Sequence, residues 1–510
     1  MVAALLLTAC QPNRFVSGWI TYWSATGGRA TVGDSTISPL FSEVSLLWYG
    51  TTPSGSTTAD GKIHPLSSTS NLATTVATIR GQGLPVIPTI FDSAAAGQLK
   101  GILADQITRA DHEQQILNLV TSQGYDGIDL DYEVFAFGDH ITKSGTQLTT
   151  DWVNFVHELA TLLHDHGKVL SVTVPPVWNG GSSGYTVYAQ DQIADAVDRL
   201  RLMVYDFNIG SPGPLAPMSW VNSVIAYSSA KVPASKLQLG VPTYGRHWAT
   251  QKNSKEVCPD GALSHSDFTM KETAGLAAAH KVTPVRDPAG SGELTFSWDQ
   301  VVTGRRTKPI TPPVWTPPTV TIPVIDDTAD TVGLQPAVRL APPETPVTCT
   351  VHHVVFAPDA GSVRQRADAA VAAHWSGIIL FALGYETTDI YSSLAGVGAQ
   401  RPDGLPTATL DAVQVDGSTV HITGQAWHPE FDLPVAVHLT LTPTGGGAAV
   451  YDETVTADTV RDAVPAGLGP YHGFDVSVPN VLPGSYQACS TLVLWGGVTG
   501  TSGCQPVTVT

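Results

Sequence analysis

At 510 residues the chain is too long for one ordinary domain and predicts two or three. Its net charge of -18, from 44 acids against 26 bases, leaves no basic surface for phosphate, so nucleic acid is excluded as an expected partner. Only 14% of residues are charged, and no run of eighteen apolar residues occurs, so no membrane-spanning helix is expected.

The N-terminal "MVAALLLTAC" is a short apolar stretch closed by Leu7-Thr8-Ala9-Cys10 and followed by polar "QPNR". It resembles a bacterial lipoprotein signal, in which the cysteine becomes the lipidated first residue, though a basic n-region is missing. Residues 1–14 are read as a signal remnant and linker, with Cys10 as lipid carrier. The protein is then exported, either to the outer face of the cell membrane or secreted. Setting Cys10 aside leaves Cys258, Cys349, Cys489 and Cys504, which permit three connectivities. Pairing within sequence regions, Cys258 with Cys349 and Cys489 with Cys504, is the economical one. No CxxC spacing suggests zinc, the histidines are scattered, and no metal or cofactor is expected.

Short apolar runs then alternate with helical segments. The strand candidates are "FVSGWITYW", "VSLLWYG", "LPVIPTI", "DGIDLDYE", "VLSVTVPP", "LRLMVYDF", "LQLGVPTYG" and "GIILFALG". Among the helices, "DWVNFVHELATLLHDHG" sets Trp152, Phe155, Val156, Leu159 and Leu163 at helical spacing. Eight strands alternating with helices predict an α/β fold, a (β/α)8 TIM barrel over 15–400, with its site at the C-terminal strand ends. The alternation breaks at about 246–355, where an α+β insertion between strands seven and eight is expected, with "ELTFSW" and "CTVHHVVF" as partner strands. Residues 308–346 are too rich in proline for regular structure and read as a surface excursion. Beyond a boundary at "QRPDGLPT", 400–407, alternating runs between Gly/Pro turns predict an all-β sandwich over 403–510.

The fourth strand candidate concentrates acids. In "GYDGIDLDYE", Ile128, Leu130 and Tyr132 alternate with Asp129, Asp131 and Glu133, so a strand through Glu133 puts three carboxyls on one face. Side chains two apart on one face can share a proton, and a neighbouring carboxylate raises the proton affinity of Glu133. A protonated carboxyl at a strand end suits glycosidic cleavage, which needs an acid for the departing oxygen. A calcium loop is disfavoured, because that pattern needs a glycine at its sixth position. Asp126 reads as structural.

"DGIDLDYE" resembles the DxxDxDxE signature of family-18 glycoside hydrolases, the chitinases and their relatives. "LRLMVYDF" is similar to that family's sixth-strand M-x-Y-D motif and "LGVPTYGRHW" to its seventh strand. The likeness covers about residues 15–395 and is nearest to the bacterial branch of cell-wall and spore-cortex-lytic N-acetylglucosaminidases. The resemblance implies a retaining, substrate-assisted hydrolysis of N-acetylglucosamine glycans, peptidoglycan before chitin. Glu133 would be the acid and then the base. Asp131 would orient the acetamido group, Asp129 share a proton with Asp131, and Tyr205 hydrogen-bond the acetamido oxygen. Met203 and Asp206 would shape the pocket, with Tyr244 and Arg246 as sugar contacts. Where the family carries a floor tryptophan, this chain has Phe381, which covers less of a sugar. The tail resembles an Ig-like domain of secreted bacterial proteins. The competing reading is a chitinase-like glycan-binding protein, but such proteins usually lose the terminal Glu of the motif. A monomer is expected, touching a membrane only through Cys10.

Overall fold

The computed structural model describes residues 16–53, 55–306, 345–395, 397, 407–427, 435–461, 471–493 and 499–510. Cys10 with the signal remnant, nearly all of the 308–346 excursion and nearly all of the 400–407 boundary lie outside them.

Eight parallel strands form a closed barrel: Val16–Thr21, Phe41–Gly50, Thr89–Phe91, Gly127–Asp131, Val169–Val174, Arg199–Leu202, Leu237–Pro242 and Gly377–Phe381. The first strand pairs with both the second and the eighth, which closes the ring. Most strands are shorter than the runs the sequence predicts, and two of them show why. Pro85 and Pro88 lack backbone N–H groups, so of "LPVIPTI" only the end joins the regular ladder. The fourth strand stops at Asp131. Glu133 turns helical at φ -106°, ψ -40° and opens the single-turn helix Val134–Phe137. The expected alternation therefore stops two residues early.

Outward side chains such as Ile128, Leu130, Val172, Leu200 and Leu239 pack in one apolar cluster with the helix layer. The helix Gln147–His164 contributes Trp152, Phe155, Val156, Leu159 and Leu163 to it. The inward layer is polar instead. Ser17, Glu43, Ser45, Asp129, Ser171, Thr173, Arg201 and Gln238 are all buried there. Such a centre is tolerable only when every group finds a partner.

Between the seventh and eighth strands lies a five-stranded antiparallel sheet built from Tyr244–Gln251, Ser264–Thr269, Val285–Arg286, Leu294–Arg306 and Thr345–Ala357. The Cys258–Cys349 disulfide closes it on one side. From Thr407 onward two four-stranded antiparallel sheets share a core including Val420, Ile422, Leu439, Phe474 and Ala488. Cys489 and Cys504 face each other across its last two strands and are bonded. No helix among the described residues is long and apolar enough to cross a membrane.

Candidate active site

The C-terminal ends of the barrel strands open into a cavity of about 770 Å³. Asp131, Glu133, Met203, Tyr205, Asp206, Tyr244 and Phe381 all line it, so residues spread over 250 positions of sequence meet in one place. The sheet insertion adds Asp267 and Phe268, and the loop after the first strand adds Tyr22 and Trp23.

Local packing aims the acids. Tyr132 points outward, where its hydroxyl meets His112 Nε2 at 2.8 Å and its ring stacks on Phe155. Its carbonyl accepts from Tyr188 Oη at 2.7 Å. With Tyr132 fixed outward, Asp131 faces the cavity, and the helical turn that starts at Glu133 brings that carboxyl back to the same space.

Three acids have separate environments. Asp129 is fully buried, and its oxygens accept from Ser171 Oγ at 2.7 Å, Thr89 Oγ1 at 2.8 Å, Thr173 Oγ1 at 3.0 Å and Trp19 Nε1 at 3.3 Å. Arg201 Nη1 stands 3.2 Å from Asp129 Oδ2. Both Asp129 oxygens therefore accept from donors of the barrel interior. Asp131 is also buried, but its Oδ1 has no hydrogen-bond partner. Burial first, and then the charges of Glu133, Asp129 and Asp92, push its carboxyl well above the ordinary range. Burial, followed by the negative charges of Asp206 and Asp92, raises Glu133 to about 7.

Asp92 is a member of this cluster that sequence reasoning missed. It is fully buried just past the third strand, and burial raises its carboxyl to about 6. It accepts from Phe135 N at 3.1 Å, inside the turn that carries Glu133, and donates its own N–H to Asp131 O at 3.1 Å. The available signal was an acid directly after a barrel strand in "PTIFDS", at the level where the barrel rule places chemistry.

On the opposite wall Asp206 is held in the left-handed region at φ 61°. Tyr244 Oη donates to its Oδ1 at 2.5 Å, and Arg246 Nη2 lies 2.9 Å away. Arg246 also reaches Asp267 through Nε at 2.5 Å, and it is only 4% exposed. Arg246, the expected sugar contact, is thus held between two carboxylates and does not itself line the cavity. Burial, with the Asp206 charge second, lifts the Tyr244 hydroxyl well above its ordinary value. Tyr205 is raised likewise by burial and by the Asp131 and Glu133 charges. The Phe381 ring stacks on Tyr205 at 5.6 Å and meets Trp19 edge-on at 5.8 Å. Asp126 accepts from Val86 N at 2.8 Å, at the entry of the strand.

A family model described as glycosyl hydrolases family 18 matches residues 50–307, half of the chain. A provisionally named sporulation-specific glycosylase of Bacillus subtilis (strain 168), YdhD, is 26% identical over 263 residues, covering 48% of this chain and 56% of its own length. Chitotriosidase-1 of Mus musculus is 29% identical over 173 residues, covering 29% of this chain and 37% of its own. The chain thus spans about half the length, or less, of these relatives. Among solved structures, a chitinase from Chromobacterium violaceum ATCC 12472 superposes with a TM-score of 0.53 at 20% identity, over 76% of this chain and 100% of its own. The spore cortex-lytic enzyme SleL of Bacillus megaterium QM B1551 gives 0.52 at 15% identity, over 76% of this chain and 74% of its own.

Proposed function

The chain belongs to family 18 of the glycosyl hydrolases, and from that premise we propose that it cleaves β-1,4 bonds of N-acetylglucosamine glycans with retained configuration. The substrate's own acetamido oxygen is the nucleophile. One observation carries this reading: the acids lining the cavity divide into engaged and unengaged ones. Asp206 is held by Tyr244 and Arg246, Asp267 by Arg246, and Glu272 by Thr269. Asp131, with an unpartnered oxygen, and Glu133, with a raised proton affinity, remain.

Glu133 enters the reaction protonated and gives its proton to the leaving oxygen. The acetamido oxygen attacks the anomeric carbon as that bond breaks, forming a cyclic oxazolinium ion. Asp131 holds the acetamido N–H and offsets the positive charge that develops there. Tyr205 orients the acetamido oxygen by a hydrogen bond, and Phe381 stacks beneath the sugar. Glu133, now a carboxylate, takes a proton from water as that water opens the ring from the face the leaving group left.

Peptidoglycan is the preferred substrate, with chitin second. The similarity to a sporulation-specific glycosylase supports the first and that to chitotriosidase-1 the second. Two disulfides suit an exported protein. In this reading a monomer is anchored by lipid at Cys10, residues 15–400 do the chemistry, and 403–510 are an accessory module. Product analysis on purified peptidoglycan and on chitin oligosaccharides tests it. Expected products carry N-acetylglucosamine at the new reducing end, with retained anomer, and muramic acid at the new non-reducing end of peptidoglycan fragments. Turnover of fully de-N-acetylated glycan, or inverted products, would overturn substrate assistance.

A further inference from the structure

Glu133 lies past the end of its strand, on a single turn of helix that has no side-chain cap of its own. One isolated turn is a poor support, because the first N–H groups of a helix lack partners within it and a nucleus this short is costly to form. Asp92 supplies what is missing, from the neighbouring strand. Its Oδ2 accepts from Phe135 N at 3.1 Å, and Val134 N bonds the same carboxyl. Its own N–H donates to Asp131 O at 3.1 Å. Asp92 thus holds the chain two residues before Glu133 and again two residues after it. The carboxyl is fixed in turn: Oδ1 accepts from Ala94 N at 3.2 Å and from Thr51 Oγ1 at 3.3 Å, just past the second strand. All of these partners donate, which is the set a carboxylate needs. Asp92 is fully buried and does not line the cavity.

A serine or an asparagine would cap such a turn without the cost of burying a charge. Capping alone is therefore a weak reason for an aspartate here. Its charge has a second object, since it acts on Glu133 and on Asp131. We propose that Asp92 is the positioning residue for the acid: from the third strand it grips the chain on both sides of Glu133, and it sets a fixed negative charge against the turn that carries it. The grip aims the Glu133 carboxyl into the cavity. The charge keeps the proton on that carboxyl until the leaving oxygen takes it. Asp92 touches no sugar and works through Glu133, so the proposal rests on the role given to Glu133 above. The other titratable groups around Glu133 are Asp131 on its own strand, Asp206 and Tyr205 after the sixth, and Tyr185 and Tyr188 after the fifth. Each is an acid or a phenol, so none of them takes over the capping of the turn.

The test separates charge from grip. Asp92→Asn keeps an oxygen for Phe135 N and loses the charge. A negative neighbour raises the proton affinity of an acid, so in this variant the alkaline limb of the pH–kcat profile should move about half a unit to one unit to lower pH. Asp92→Ala loses the grip as well, and its kcat on chitin oligosaccharides should fall on the order of ten-fold or more with KM little changed. A residue that merely supports the fold would lower stability and leave the limb in place. A second readout needs no turnover. At about pH 8, Glu133→Gln should raise the Tm of the wild type, and it should raise that of Asp92→Asn by less. An unmoved limb in Asp92→Asn, or an undiminished Tm gain, would overturn the proposal. Should Asp92→Asn not fold, the Phe135 amide of the wild type decides, followed by NMR in protein labelled with 15N-phenylalanine. A midpoint below the alkaline limb places the charge on Asp92 while Glu133 works and sustains the proposal, and a midpoint above it overturns it. Absence of any glycan turnover in the wild type defeats the proposed function instead, and leaves the Tm comparison to judge Asp92.

Discussion

Asp129 and Asp131 leave the same strand two residues apart and face the same barrel interior, yet their surroundings are opposite. The lower one is wrapped in hydroxyls, an indole and a guanidinium. The upper one adjoins Glu133 and Asp92, and one of its oxygens has no partner. Depth along one strand separates an acid surrounded by donors from an acid that lines the cavity. Burial by itself does not distinguish them, since both are buried. The supply of donors does.

The strongest way to break this contrast is at the mouth. Glu133→Gln should lower kcat by about 10²–10⁴-fold, the usual contribution of a general acid, while calorimetry still detects binding of N-acetylglucosamine oligomers. Near-normal turnover would remove Glu133 from its role. The second way compares the two aspartates directly. Asp129→Asn strips a counter-ion from buried Arg201 and should cost roughly 3 kcal/mol in urea denaturation. Asp131→Asn removes no such partner, so it should leave stability intact while abolishing most turnover. Equal destabilisation by both would erase the distinction.

A third test uses pH. The folded state holds Glu133 at about 7, above the 4.5 of an ordinary glutamate, so its ionisation works against the fold as pH rises through 7. Activity should decline over that interval, because the acid loses its proton. Glu133→Gln should also be more stable than wild type at about pH 8, by on the order of 2 kcal/mol, with no advantage at about pH 4. Thermal unfolding at both values checks the sign. The smallest effect is expected at the floor. Phe381→Trp enlarges the stacking surface and should lower KM a few-fold, about 1 kcal/mol of binding, with kcat little changed.

The mouth was more legible in the sequence than the layer beneath it. Period-2 runs and helical spacing exposed the barrel, and a dense acid motif marked Asp131 and Glu133. Arg201 and Glu43 carry no such mark. They are 158 positions apart, and only closure of the ring brings them to 2.7 Å. Asp92 had only a weak mark, a lone acid directly after the third strand, without the neighbouring carboxyls that make the fourth-strand motif stand out. Arg246 could not be placed for a different reason. In the sequence it continues the seventh-strand run, but in the fold it opens the inserted sheet, where its strand neighbour Asp267 pairs with it. Spacing reveals periodic packing and local motifs, whereas long-range charge pairing belongs to topology.

The paired strands Leu294–Arg306 and Thr345–Ala357 set Arg306 opposite Thr345. Chain that enters at one of these residues therefore returns at the point where it left, and the Cys258–Cys349 bond ties the sheet nearby. For an engineer this is a socket. Doubling the length of what is spliced between its two contacts costs only about 0.6 kcal/mol of closure entropy. The socket itself is set by the ladder between the two strands, because their pairing runs without a break from Leu294 opposite Ala357 to Arg306 opposite Thr345.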